Sequence, residues 1–595
     1  MTPDYPSRLK SLRDEMAKAG LDGFFVPMTD EYQSEYVPPS AQRIEFLSGF
    51  TGSAGFIIVL KDKAAFFTDG RYTLQAEQQL PKNLFEVFDT GAKLPSEWIA
   101  ENAKKGMKLG FDPWLHTEEN VERLAAAATR ASAEIAPVEK NPIDIIWSDR
   151  PAAPRALIFT HDIAYAGQSS QDKRTALADD LKKNNLAAAV ITDPASIAWL
   201  LNVRGGDVPN TPLPLSFAIL RDDATVKWFV DPKKLTTGLQ QQLGNAIDPE
   251  DQQLFGHALD RLAKEGKPIR IDPAESAHWI VERLRKAGAK LNFGEDPCIL
   301  PKALKNKVEV EGMRAAHRRD GAALVKFFAW LEKAAASGEL TEMEAQEKLA
   351  VFRSGGALYR GPSFNTISGA GPNGAIVHYH STPATNRKLK QGEFYLLDSG
   401  GQYMDGTTDV TRTIAIGTPS PEMKDRFTRV LKGHIALGSA RFPEGITGAD
   451  LDVLARRPLW VVGLDYNHGT GHGVGAYLGV HEGPQGISRR NKVKLQPGMV
   501  ISNEPGYYKA GAYGIRIENL VVVTEPVDVA GSEHKMLGFE TITLAPIDRN
   551  AIDVEMLSKE ERDWLNAYHT RVRDSLKPLL DATEQAWLEK ATAQI

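Results

Sequence analysis

The stretch EFYLLDSGGQYMDGTTDVTRTIAI, Glu393–Ile416, decides how the chain is read. It opens on an apolar run that ends in Asp398 and closes on a β-branched strand that carries Asp409. Between them GGQYMDG supplies the glycines of a hairpin-like turn. Two strands joined in this way can bring both carboxylates onto one face. Ionised carboxylates among apolar strands are costly unless they are paired or hold a metal.

Further acids of this kind follow downstream. Glu504 comes directly after the apolar strand in GMVISNEPGYY, Gly498–Tyr508. Glu518 lies in YGIRIENLVVV, Tyr513–Val523. Strand alternation there puts Ile515 and Ile517 on one face, and Arg516 and Glu518 on the other. His472 sits in HGTGHGVG, where glycines let backbone approach a crowded centre. So many glycines argue against a helical pairing of His468 with His472.

Four carboxylates (Asp398, Asp409, Glu504, Glu518) and one imidazole (His472) resemble the ligand set of a two-metal site. Oxygen-rich ligation with one nitrogen favours Mn²⁺, with Co²⁺, Fe²⁺ or Zn²⁺ as further options. Two divalent cations would cancel the charge of about −4 that four ionised carboxylates carry. A hydroxide shared between two such ions, and a carbonyl polarised by them, predict hydrolysis. Each residue alone has a plainer reading: an Asp in a turn is usually a cap, and Asp405 is read as a turn residue. Taken together the acids are hard to explain as salt bridges, because Arg412 and Arg516 are the only cations in those strands.

Composition excludes several other classes. The 595 residues suffice for three or four domains, and 42% hydrophobic content excludes a largely disordered chain. Lys and Arg number 71 against 77 Asp and Glu, too balanced for a protein that binds nucleic acid by neutralising phosphates. The single cysteine, Cys298, excludes a disulfide within the chain and any multi-Cys metal site, and reads as a packing residue. MTPDYPSRLK lacks a basic segment followed by an apolar one, and no apolar run approaches the ~18–20 residues that span a bilayer. A soluble, cytoplasmic protein without membrane partners is expected.

The first 300 residues read as two copies of one α/β design. SRLKSLRDEMAKAGLDGFFVP carries a helix capped by Ser7, ended by Gly20 and followed by a strand over Phe24–Val26. SSQDKRTALADDLKKNNLAAAVITD repeats the plan, with Asn185 at the helix end and a strand over Leu186–Ile191. Each copy then reaches a strand that ends in Asp, at Asp69 and Asp231. Pro-rich segments at 141–154 and 297–307 read as linkers. A long amphipathic helix from Val308 opens a third domain, and a charged helical tail starts near Asp553. The predicted domains are 1–150, 151–307 and 308–595. SGAGPNGAI contains a GxGxxG pattern, but it lacks a strong strand before it and has strand-like AIVHYH after it, so a dinucleotide site is not expected.

In LLDSGGQYMDGTTDVTRT, HGTGHGVG, VHEGP, NEPGYY and IRIEN, together with GPNGAIVHYH and the first-domain FLSGFTGSAG and TDGRY, the chain resembles the aminopeptidase P family. These are the Xaa-Pro aminopeptidases, in their long three-domain form, of the creatinase/prolidase/methionine-aminopeptidase (pita-bread) superfamily. The resemblance covers nearly the whole chain. It implies two creatinase-like α/β domains before a pita-bread catalytic domain. It further implies that Asp398, Asp409, His472, Glu504 and Glu518 hold two metals, usually Mn²⁺, with Asp409 and Glu518 bridging. It gives Glu504 a proton-shuttle role, His378 and His481 contact with the tetrahedral intermediate, His468 a place near the proline, and Arg516 a supporting one. A bridging hydroxide would cleave the bond before a proline at position 2 of a peptide, and the enzyme would be a homodimer. A prolidase, cutting only Xaa-Pro dipeptides, is the alternative on the same fold. A non-catalytic peptide-binding relative is a further one, against which the complete ligand set argues.

Overall fold

The computed structural model describes residues 4–595, which divide into two compact units, 4–161 with 168–299, and 162–167 with 300–595.

The first unit contains two six-stranded sheets built to one plan. The strands Gly23–Pro27, Phe56–Leu60, Ala64–Thr68, Glu86–Asp89, Lys108–Phe111 and Glu134–Pro137 stand in the order fourth, third, second, first, fifth, sixth. The strands Ala188–Ile191, Phe217–Arg221, Val226–Phe229, Ile247–Glu250, Ile269–Ile271 and Leu291–Phe293 repeat that order. Strand directions match as well: first to second and second to third are antiparallel, and the other pairs are parallel. The equivalent helices, Tyr5–Lys18 and Ser170–Lys183, run out at Gly20 and Asn185. Both end residues are left-handed, with φ of 68° and 54°. This is the conformation that glycine and asparagine tolerate. The first helix is capped by Asp4 rather than Ser7, since the Asp4 carboxylate accepts from Ser7 N at 3.1 Å. A cap must lie outside the helix it starts, and Ser7 is already inside it.

Parts of the two segments read as linkers are packed, although 148–153 is mostly exposed and the boundary between the two units falls at 299/300. Pro142–Ile146 is a helix with Ile143 fully buried, and Ile299–Ala303 is a helix with Lys302 buried. Proline at a first helical turn starts a helix as readily as it ends one.

The second unit opens with the helix Lys307–Ala334, capped by Asn306 with Glu309 closing the reciprocal bond. One sheet pairs Glu393–Ser399 with Ile367–Ala370 and Val410–Ile416. A five-stranded sheet orders Glu482–Ile487, Gly471–Gly473, Val500–Asn503, Asn519–Val523 and Phe539–Thr541. Helices Pro421–Gly438 and Lys559–Leu576 share a buried core with Ile515 and Ile517. Leu557, Leu565 and Tyr568 of the tail are buried, and Trp564 is half-buried against the same core.

The run 513–523 is two strands rather than one. Tyr513–Arg516 pairs with Gly506–Lys509, while Asn519–Val523 pairs with Val500–Asn503. The chain changes partners across Ile517 and Glu518, which leaves Glu518 outside both ladders. GxGxxG does follow a strand, Ile367–Ala370, but a 3₁₀ turn over Gly371–Ala375 comes next, and AIVHYH is irregular. A Cβ on Gly514 would lie 1.7 Å from the Gly374 carbonyl, so these glycines serve close backbone packing.

Candidate metal centre

The turn between Asp398 and Asp409 folds as a small hairpin of its own, with Gln402 opposite Thr407. Its two stems pair in register, Asp398 against Thr411 and Ser399 against Val410. Asp409 therefore stands one step past the last pair, at the end of the sheet that Asp398 occupies. Glu504 leaves the end of Val500–Asn503, and Asn503 is paired with Asn519, the neighbour of Glu518. Two sheets thus deliver four carboxylates to one place, Asp409, Glu504 and Glu518 just outside a strand end and Asp398 one residue inside one.

The local geometry is tight. His472 Nε2 lies 3.4 Å from Asp409 Oδ2 and 3.7 Å from Glu504 Oε1. Ligand atoms of Asp409, His472 and Glu518 all fall within 4.8 Å of one another. Thr411 Oγ1 donates to Glu518 Oε2 at 2.7 Å, and Glu518 N donates to the Thr411 carbonyl at 3.2 Å. Arg516 donates to Asp398 Oδ2 at 2.6 Å, but Asp398 Oδ1 is buried with no hydrogen-bond partner.

Burial pushes the Asp398 carboxyl up to about 6, against the pull of Arg516. Burial also raises Glu504, and it raises Glu518 far above the carboxylate range with Asp409, Asp398 and Glu504 adding repulsion. Burial would lower His472, but Asp409 and Glu504 overcome it and lift the imidazole to about 9. The arrangement is short of positive charge, and two divalent cations would supply what it lacks. The imidazole is set for the same task. His472 Nδ1 bonds the Gly473 carbonyl at 2.9 Å, which makes it the protonated nitrogen and leaves Nε2 facing the acids. The donor set therefore fits hard or borderline divalent ions.

All of these shifts are upward, so between the unfolded and folded pKa values the metal-free folded chain holds more protons than the unfolded one. The stability contributed by this cluster must then fall as pH rises from about 4 towards 9. The melting temperature of protein stripped with a chelator is expected to lie several degrees further below that of metal-loaded protein at pH 8 than at pH 5. A melting gap between the two forms that does not widen with pH would contradict this account.

The remaining residues singled out from the sequence stand close by. The His481 ring lies 4.3 Å from that of His472, at 70°. His468 Nδ1 bonds the Gly469 carbonyl at 2.7 Å, and its Nε2 accepts from the Tyr508 hydroxyl at 2.9 Å. The same hydroxyl accepts from Arg516 at 2.7 Å. Arg516 also donates to the Val377 carbonyl at 3.3 Å, next to His378. Asp405 is a turn residue paired with Arg319 and takes no part. Cys298 is buried, as a packing residue should be.

Several contributors escaped the sequence reading. Tyr508 links His468 to Arg516, and Thr411 holds Glu518. His434, fully buried, bonds the Asn503 carbonyl through Nδ1 at 3.1 Å and accepts from Asn519 through Nε2 at 3.0 Å. It thus ties together the neighbours of Glu504 and Glu518. The only signal in the sequence was the asparagine beside each acid, in NEP and IEN.

Behind them Arg412 donates to the carbonyls of Thr411, Glu518, Ala545 and Pro546, to Asn519 Oδ1 and to the Tyr568 hydroxyl. Arg412→Met leaves those acceptors buried and unpaired. It is expected to cost about 3–5 kcal/mol, read as a drop in urea midpoint at unchanged slope. An unchanged midpoint would show the network to be dispensable.

Comparison with known proteins agrees with this geometry. Residues 311–525 match the pattern of metallopeptidase family M24, and 535–595 its C-terminal region. Residues 8–146 and 149–309 each match the creatinase/prolidase N-terminal domain. A probable Xaa-Pro aminopeptidase P of Laccaria bicolor is 42% identical, over 99% of this chain and 93% of its own. Aminopeptidase P2 of Arabidopsis thaliana is 41% identical, over 98% and 87%. The X-prolyl aminopeptidase of Caenorhabditis elegans, described as a cytosolic enzyme with a di-nuclear active site, superposes with a TM-score of 0.95 at 35% identity over the whole of both chains. A Thermotoga maritima X-Pro aminopeptidase, at 23% identity and a TM-score of 0.51 over 63% of this chain, shares the fold. With creatinase-like α/β domains ahead of a pita-bread metallopeptidase domain, this chain belongs to the aminopeptidase P family of the M24 metallopeptidases.

Proposed function

We propose that the chain removes the N-terminal residue from peptides with proline at position 2. The observation that carries this is the convergence of Asp398, Asp409, Glu504 and Glu518 with the Nε2 face of His472, in a family of Xaa-Pro aminopeptidases. Two divalent ions, Mn²⁺ by the ligand chemistry, acidify a water and polarise the scissile carbonyl when bound. Asp398, Asp409, His472, Glu504 and Glu518 would hold them.

Around that centre the side chains divide the work. Glu504, raised by burial, accepts a proton at its carboxylate and returns it to the leaving proline nitrogen. His481 and His378 donate towards the oxyanion. Arg516 fixes the Asp398 carboxylate, and Tyr508 fixes His468 beside the proline ring. Proline has no N–H to donate, and a site that asks for none accepts it.

The domain limits 1–150, 151–307 and 308–595, a homodimer and a cytoplasmic location complete the reading. The nematode relative's description supports the last of these. Among the described residues no helix is long and apolar enough to cross a membrane.

A panel of Arg-Pro-Pro and Gly-Pro tests the assignment. Release of arginine from the tripeptide, faster than cleavage of the dipeptide, is expected. Activity confined to Gly-Pro would make the chain a prolidase instead.

A further inference from the structure

The helix Ile299–Ala303 and the residues after it carry two buried lysines that the reaction scheme does not use. Lys302 and Lys305 both point at the carboxylate of Glu482. Their side chains are 5% and 1% exposed, and that of Glu482 is 3%. Lys305 Nζ bonds Glu482 Oε1 and also the Lys302 carbonyl at 2.9 Å. Lys302 Nζ lies 3.5 Å from Glu482 Oε2. Charged groups buried this deeply are expensive, and such a cluster adds little stability over a well-packed apolar replacement.

Its placement suggests a purpose. Glu482 follows His481 directly and is the register partner of Gly473, the neighbour of His472. A Cβ on Gly473 would lie 2.2 Å from the Glu482 carbonyl, so the two backbones are in close contact. The same lysine-bearing segment is stitched to the strand that leads to Glu504. Lys305 N donates to the Gly498 carbonyl at 3.1 Å, and Leu304 bridges Met499. One short segment thus grips the backbone on the Glu504 side and the side chain on the His481 side.

We infer that Lys302 and Lys305 clasp Glu482 to hold the His481 ring at its angle to His472, making the three of them positioning residues for turnover. The inference rests on the reading that His481 acts on the reacting carbonyl. The clasp sets geometry rather than metal affinity, because none of the three is a ligand. The neutral Glu482→Gln keeps the shape and loses the charge that two ammonium groups hold.

The test is a double-mutant cycle on the manganese-loaded enzyme with Arg-Pro-Pro. Glu482→Gln is expected to lower kcat about 10- to 100-fold, with KM and metal content near wild type. In the His481→Ala background the same change should have almost no further effect. Lys305→Arg, which keeps the charge, should retain most of kcat, whereas Lys305→Met should not. Multiplicative effects of Glu482→Gln and His481→Ala would overturn the clasp and leave the role of His481 standing. Full turnover in His481→Ala alone would overturn that role, and the clasp with it. If Glu482→Gln fails to fold, Lys302→Met takes its place in the cycle: no further loss on top of His481→Ala supports the clasp, and a multiplicative loss overturns it.

Discussion

Asp409→Ala is expected to empty the metal centre and abolish peptide cleavage together. Asp409 Oδ2 lies 3.4 Å from His472 Nε2, and Asp409 heads the causes of repulsion on Glu518. Among the described residues, the one triad of possible ligands whose ligand atoms all fall within 4.8 Å of one another is Asp409, His472 and Glu518. Removing Asp409 takes away one of the groups proposed above to hold the ions. It also removes the nearer of the Asp409 and Glu504 carboxylates to His472 Nε2, leaving Glu504 Oε1 at 3.7 Å. Losing the cations forfeits several kcal/mol of transition-state stabilisation, so turnover should fall at least about a thousandfold. Elemental analysis after dialysis should find well under two ions per chain, and excess Mn²⁺ should not restore wild-type kcat. Two tightly held ions with normal cleavage would remove Asp409 from the site.

The centre was legible because its residues break a rule. Asp398, Glu504 and Glu518 are acids set against apolar strands, and such placement needs an explanation that single residues cannot give. The hairpin between Asp398 and Asp409 was legible because its glycines and the apolar stems are local in sequence. The twin sheets were legible for a similar reason, since Gly20 and Asn185 mark helix ends whatever lies further along the chain. Tyr508, Thr411 and His434 broke no rule. Each is a common polar residue whose partner is set by tertiary contact: Thr411 meets Glu518 across 107 positions, and His434 meets Asn519 across 85. The same limit explains the split at Ile517 and Glu518. Alternation is continuous there, and only the choice of partner strand interrupts it. Lys302 and Lys305 were hidden behind the prolines at 297 and 301, which read as punctuation although the segment is packed.

Glu504→Gln is expected to separate proton transfer from structure. Glutamine keeps the size of the side chain and one carbonyl oxygen, but it cannot take up and release a proton at neutral pH. Burial raises the Glu504 carboxyl, with Asp409 adding repulsion, while His472, Arg516 and His481 pull it back down. A carboxyl moved towards the working pH in this way suits general acid–base catalysis, which contributes about 10²–10⁴ in rate. The variant should therefore lose kcat by that factor, while KM for Arg-Pro-Pro changes little. Metal content should fall less than in Asp409→Ala, since glutamine keeps a carbonyl oxygen at that position and the triad of Asp409, His472 and Glu518 stays whole. The pH profile separates the two possible roles of Glu504. If it only held a cation, added Mn²⁺ would restore the variant and the acid limb of kcat would keep its shape. If it carries the proton, that limb should flatten and no concentration of Mn²⁺ should rescue turnover. Full rescue by metal would leave Glu504 as a ligand and move the proton to another group.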